Sequence, residues 1–173
     1  KEKEVVDLAV QNGLRAKILN QNEIKTIEPN INIDSIGAAY FYSDHHTTPG
    51  ELIDELKDFI QKKGVKCITH TEIESFDIQN NIIKSVNISD QNLSFDEYVL
   101  SAGAWTSKLC KKLGINLLLQ AGKGYSINHS SKTEISCPAI LVEPKCAITP
   151  MNGFTRYSGT MEISSINDRI RKN

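Results

Sequence analysis

Apolar residues recur every three to four positions in parts of this chain and on alternate positions in others, and the change of period marks out the elements. Val5, Val6 and Ala9 share a face and Gly13 stands where a left-handed terminator is expected, which predicts a helix over residues 2–12. The clearest helix begins at Thr48. Its hydroxyl can accept an orphan amide, Pro49 lacks the N–H that a first position would waste, and Glu51 can reach back, the pattern of a capping box. Leu52, Ile53, Leu56, Phe59 and Ile60 then make an apolar stripe opposite Asp54, Glu55, Asp58 and Lys62, and Gly64 closes the helix. Such a stripe predicts that one face lies against a sheet or another helix. A further amphipathic helix is predicted from Ala104 to Leu113, with Trp105, Leu109 and Leu113 spaced by four and Gly114 at its end.

Strand patterns fill the remainder. After a polar stretch with a break at Glu28-Pro29, Ala38 to Tyr42 has strand character. Val65 to Thr71 reads as a buried strand and Ile73 to Ile78 as its continuation or neighbour. Turns at Asn80-Asn81 and Asp90-Gln91-Asn92 connect Ile78, Ile82 to Ile88, and Leu93 to Leu100 into a small meander. Leu119 to Ile127 alternates with one very small face, Ala139 to Val142 is fenced by Pro138 and Pro144, and Asn152-Gly153 between two apolar runs is a strong hairpin signal. No internal repeat or low-complexity tract is present. Thr48 to Gly114 alternates helix with strand, whereas both flanks lean to mixed or antiparallel β, so two units interleaved in sequence are expected.

Composition narrows the class. With 39% hydrophobic and 24% charged residues, 5 Pro and 10 Gly, the 173-residue chain is globular rather than disordered or collagen-like. At this length roughly 70% of the unfolded surface can be buried, enough for one substantial core or two small ones. The 20 basic and 21 acidic side chains nearly cancel to a formal charge of -1, which gives no field for nucleic acid or an anionic membrane. Cys67, Cys110, Cys137 and Cys146 form no CxxC pair and no zinc spacing, and read as reduced thiols used as small core residues in a cytoplasmic protein. No apolar run approaches the ~20 residues that span a bilayer, and Lys1-Glu2-Lys3-Glu4 is the reverse of a signal peptide's apolar core. The chain opens inside a predicted helix and ends as abruptly, so a fragment of a longer product is expected.

Candidate chemistry concentrates after Tyr98. A predicted strand runs into Ala102-Gly103-Ala104 and then a helix, so small residues stand where backbone amides can approach an anion or a flat ring. A tight turn that merely needs a glycine would look the same. Asp44-His45-His46 offers three ligand types, but adjacent side chains on an extended segment point opposite ways, so a loop without a metal is expected. Asn128-His129-Ser130-Ser131 reads as a polar turn.

The phrase Val99-Leu-Ser-Ala-Gly-Ala-Trp105, a helix ending at Leu113-Gly114-Ile115, and then Gly122-Lys-Gly-Tyr-Ser-Ile127 together resemble the D-amino-acid oxidase superfamily of FAD enzymes, nearest its D-amino-acid dehydrogenase and glycine oxidase branches. The likeness runs over nearly the whole chain, through Glu28-Pro29, Gly37 to Phe41, Gly64-Val65, Cys146 to Thr149 and Arg156 to Glu162. It implies that Thr71, Glu72 and Ile73 lie by the adenine of FAD. It implies likewise that Ala102, Gly103, Ala104 and Trp105 lie against its phosphate and ribose, and that Gly124 and Tyr125 stand near the flavin ring and substrate. Arg156 is the other substrate-side candidate, a fork that could clamp a carboxylate, against the alternative of a solvated hairpin charge.

The implied fold is α/β, a partial FAD-binding Rossmann-like domain interleaved with a mixed antiparallel-sheet substrate domain. Residues 1–43 and 116–173 are expected in the substrate domain and residues 44–115 in the FAD-binding domain. The implied activity is oxidation of an amine or D-amino acid by hydride transfer to flavin, in which the protein positions the small-molecule substrate and excludes water. No catalytic acid or base and no metal is nominated. The strand–GxGxxG–helix unit that grips a dinucleotide pyrophosphate is not in these residues, because Gly122-Lys-Gly-Tyr-Ser-Ile sits within a strand. FAD is therefore expected in the intact protein and not on this segment alone, which is expected to be inactive. A cytoplasmic location, or a peripheral one on the inner membrane, is expected, with self-association of the segment left open. The rival expectation is a noncatalytic binding module on the same scaffold.

Overall fold

A computed structural model describes residues 1–131 and 133–170. Lys132 and residues 171–173, the tail of the stretch expected to complete the substrate domain, lie outside the described residues. In chain order the elements are α1 (Glu2–Gln11), β1 (Ala16–Leu19), α2 (Gln21–Ile27), β2 (Ala38–Phe41), α3 (Pro49–Lys62), β3 (Ser75–Gln79), β4 (Ile82–Ile88) and β5 (Gln91–Leu93). A 3₁₀ turn (Gly103–Trp105), α4 (Thr106–Lys112), β6 (Ala121–His129), β7 (Ala139–Leu141), β8 (Cys146–Met151) and β9 (Phe154–Ser164) follow. The chain is thus mixed α/β, and among the described residues its strand pairs are antiparallel in the flanks and also within 44–115, where the alternation of helix with strand leads one to expect a parallel-type half. It divides into two compact units, Lys1–Leu56 with Tyr125–Thr160 and Lys57–Gly124 with Met161–Asn173.

In the first unit, α1 buries Val6, and β1 pairs antiparallel with β2 from Ala16↔Phe41 to Leu19↔Ala38, burying Leu19. The polar stretch after Gly13 is more ordered than its composition suggests. Asn20 accepts from the Glu23 N–H while the Glu23 carboxylate accepts from the Asn20 N–H, a complete capping box that starts α2. In strand order β6-β9-β8-β7, this unit holds β6 from Tyr125, β9 to Thr160, and all of β7 and β8, and the Asn152-Gly153 hairpin forms at the expected place, with Met151 facing Phe154 and Gly153 at φ +82°. That hairpin changes the start of α3. Thr48 Oγ1 accepts from the Asn152 N–H at 3.2 Å and Glu51 Oε1 from Asn152 Nδ2 at 2.6 Å. The side chains expected to cap α3 thus hold the hairpin turn, whose amide has no ladder partner of its own.

The second unit contains the meander β3-β4-β5, antiparallel throughout and burying Val86 and Ile88. Asn80 and Asn81 both adopt positive φ, 52° and 60°, the paired left-handed geometry of a tight hairpin turn, which Asn tolerates well. Two expected strands do not form. Residues 65–71 carry no strand, and the strand predicted from Leu93 to Leu100 ends at Leu93. A strand exists only through a ladder partner, and among the described residues 65–71 and 94–100 have none. Past Leu93 side chains take over: Tyr98 Oη accepts from Phe95 N–H and donates to the Lys84 carbonyl, to which Ser94 Oγ also donates.

Helix α3 forms as predicted and ends at Lys62, with Gly64 at φ +85° just beyond it, but its apolar stripe is not covered by described residues. Ile53 is 60% exposed and Phe59 57%. The packing partner expected for this face is missing from the described structure. All four cysteines are free; Cys110 is buried and Cys67, Cys137 and Cys146 are half-buried. Among the described residues no helix is long and apolar enough to cross a membrane.

Candidate functional site

Gly103 opens the 3₁₀ turn at φ +53°, a conformation that penalises any side chain, and no atom lies within 4 Å of where its Cβ would stand. The neighbours are small and half-buried, Ala102 and Ala104, and the Trp105 indole is 57% exposed. The Trp105 N–H returns to the Ala102 carbonyl at 3.0 Å, which fixes the bend before α4 begins. The result is a backbone with an open approach beside a flat exposed ring. Glycine is required here by conformation, as a plain turn would also require, but the open space above it is a separate property.

Thr71, Glu72 and Ile73 belong to the same unit. Between residues 66 and 73 no backbone–backbone hydrogen bond is made among the described residues, and Thr71 Oγ1 donates to the Thr69 carbonyl. The amides that the resemblance offers to an adenine are therefore free of ladder bonds. Lys112, at the end of α4, reaches this segment: its Nζ donates to the carbonyls of Ile73 at 3.1 Å and Glu74 at 2.6 Å. Sequence reasoning passed over Lys112, because these bonds close over 39 and 38 residues and leave no mark in local pattern.

On the substrate side, Gly124 is exposed and Tyr125 half-buried, both on β6. Arg156 lies on β9, the strand beside β6. Its Nε donates to Asn128 Oδ1 at 3.0 Å in an exposed bond, and its guanidinium stands 5.6 Å from the Phe154 ring centroid. Tyr125 and Arg156 thus occupy neighbouring strands of one sheet. Asp44, His45 and His46 form no metal cluster among the described residues, and His45 Nδ1 is engaged by the Ser43 carbonyl at 2.7 Å.

Two further features were not visible in sequence. Glu28, noted only as part of a break, is 7% exposed and accepts from Ser136 N–H, Ser136 Oγ–H and Cys137 N–H. A separate cavity of about 310 Å³ is lined by Lys17, Leu19, Glu23, Thr26, Ile27, Tyr40 and Tyr42. There the Asn20 N–H and then Lys17 hold the Glu23 carboxyl below its ordinary value, and the bond to Glu23 lifts Lys17 above its own.

Residues 2–172 match the family described as FAD dependent oxidoreductase, and the chain belongs to it. Among characterised relatives it is 27% identical over 158 residues to D-amino acid dehydrogenase of Helicobacter pylori, covering 90% of this chain and 38% of that enzyme. It is 28% identical over 162 residues to monomeric sarcosine oxidase of Bacillus sp., covering 90% of this chain and 41% of that enzyme. Glycine oxidase from Bacillus cereus superposes with a TM-score of 0.80 over 98% of this chain and 48% of its own, at 22% identity. L-proline dehydrogenase from P. horikoshii superposes at 0.82 over 96% of this chain and 46% of its own, also at 22% identity. The chain spans about two-fifths of the length of the curated relatives it matches.

Proposed function

We propose that this chain is part of a longer flavoprotein that oxidises an amine or D-amino acid, with FAD bound in the intact enzyme. The observation that carries the reading is the bend at Gly103, whose open backbone and exposed Trp105 share a unit with the unladdered segment 71–73. In this reading Ala102, Gly103, Ala104 and Trp105 meet the phosphate and ribose, and Thr71, Glu72 and Ile73 meet the adenine. Bound FAD would supply a hydride acceptor for the substrate C–H bond. The chain's own contribution is positional. Tyr125 hydrogen-bonds the substrate carboxylate, Arg156 pairs with it while Asn128 holds its guanidinium in place, and Gly124 leaves room for the ring.

Residues 44–115 would then belong to the FAD-binding domain, and residues 1–43 and 116–173 to the substrate domain. The segment by itself is inactive in this reading. The uncovered stripe of α3 and the limited coverage of the relatives both support a larger whole. A cytoplasmic location, or a peripheral one on the inner membrane, belongs to the same reading.

The test is spectroscopic. The full-length protein carrying this chain should purify yellow, and its flavin absorbance should bleach anaerobically on addition of a D-amino acid. A colourless product that takes up no FAD on reconstitution would refute the reading and favour a noncatalytic module on the same scaffold.

A further inference from the structure

The segment 66–73 presents a structural problem. It leaves α3 at Gly64, makes no backbone–backbone hydrogen bond among described residues, and rejoins a ladder only where the Glu74 N–H meets the Asn87 carbonyl at 2.9 Å. Within it His70 adopts φ +55°, which a residue with a Cβ seldom does without support. What meets the carbonyls at its end is the ammonium of Lys112. Lys112 occupies the last turn of α4, and α4 is the helix launched by the Gly103–Trp105 bend.

We propose that Lys112 is a positioning residue that locks the segment Thr71–Ile73 to the Ala102–Trp105 bend, so that the two backbone stretches face a bound nucleotide at a fixed separation. The inference rests on the flavin reading above and adds a residue that does not itself touch the cofactor. The ammonium can point its separate N–H groups at two acceptors at once, and the bond to the Glu74 carbonyl is the shorter of the two. Lys112 and the bend lie at the two ends of α4, so a hold at the C-terminal end bears on the bend at the start. Losing them would free residues 66–73, whose ordering would then have to accompany ligand binding.

Two measurements on Lys112→Met and Lys112→Arg separate the possibilities. Hydrogen exchange of the full-length protein should show the Glu74 amide and its neighbours exchanging roughly ten-fold faster in the Met variant and near wild type in the Arg variant. In the intact flavoprotein the FAD dissociation constant should rise roughly ten-fold in the Met variant, with Arg restoring it and with riboflavin affinity unchanged, because riboflavin lacks the adenylate end. Unchanged exchange in the Met variant would overturn the proposed tie. Faster exchange with unaltered FAD affinity, or an equal loss for riboflavin, would show a merely structural bond and overturn the positioning role. A wild-type protein that binds no FAD would sink the flavin reading itself, an outcome the exchange experiment keeps distinct.

Discussion

Replacing Glu28 tests the first unit at its most loaded polar contact. The carboxylate is nearly buried, and Oε1 accepts from Cys137 N–H at 2.6 Å, Ser136 Oγ–H at 2.8 Å and Ser136 N–H at 3.1 Å, while Oε2 accepts from the same Ser136 N–H at 3.0 Å. Truncation to alanine strands two amides, since the Ser136 hydroxyl can rotate away. Ser136 is exposed and Cys137 half-buried, so water can reach the two amides, and the loss is that of the charge-assisted bonds, about 2–4 kcal/mol in all. That is a large share of the ~5–15 kcal/mol that holds a domain together. Glu28→Gln is the sharper probe. Its amide oxygen can replace Oε1, but its NH₂ then faces the Ser136 N–H, so a loss of about 1–2 kcal/mol is expected. Urea denaturation should therefore show midpoints falling in the order wild type, Gln, Ala, with the Ala variant lower by about 1.5 M at unchanged slope. Ser136→Ala should cost ~1 kcal/mol in wild type and almost nothing in the Glu28→Ala background, because the partner is already gone. A Glu28→Ala loss below about 0.5 kcal/mol would refute the argument that this carboxylate holds residues 136 and 137 in place.

Other perturbations follow from the same geometry. Asn20→Ala removes the α2 cap and should cost about 1 kcal/mol by thermal or urea melting. Because the folded Glu23 carboxyl lies below its ordinary value, its contribution is complete above the unfolded carboxylate range and is lost as pH falls through the lowered folded value; Lys17, raised, contributes below the ordinary lysine value and loses its share as pH rises through the folded one. Acid titration of stability should therefore be flatter in Glu23→Gln than in wild type. Gly159→Ala places a Cβ 2.7 Å from the Lys145 carbonyl oxygen, so a loss of about 1–3 kcal/mol is expected, whereas an unchanged midpoint would contradict that close approach. Phe59→Ala in this chain should cost under ~1 kcal/mol, against about 2–5 kcal/mol for Leu19→Ala, because Phe59 is exposed here and Leu19 is buried.

Local sequence by itself determined the helices Glu2–Gln11, Pro49–Lys62 and Thr106–Lys112 to within two residues at each end, the turns at Asn80-Asn81 and Gly153, and the need for glycine at position 103. The physical reason is range: apolar period, caps and left-handed terminators act within four residues, so each can be read without knowing the rest of the chain. Tertiary structure decided the rest. Residues 65–71 have the composition of a buried strand but no ladder partner, Thr48 and Glu51 turn to Asn152, Glu28 reaches across the chain to Ser136, and Lys112 grips Ile73 and Glu74. Those outcomes depend on which hydrogen-bonding group arrives from a distant part of the chain, and no local pattern encodes that arrival.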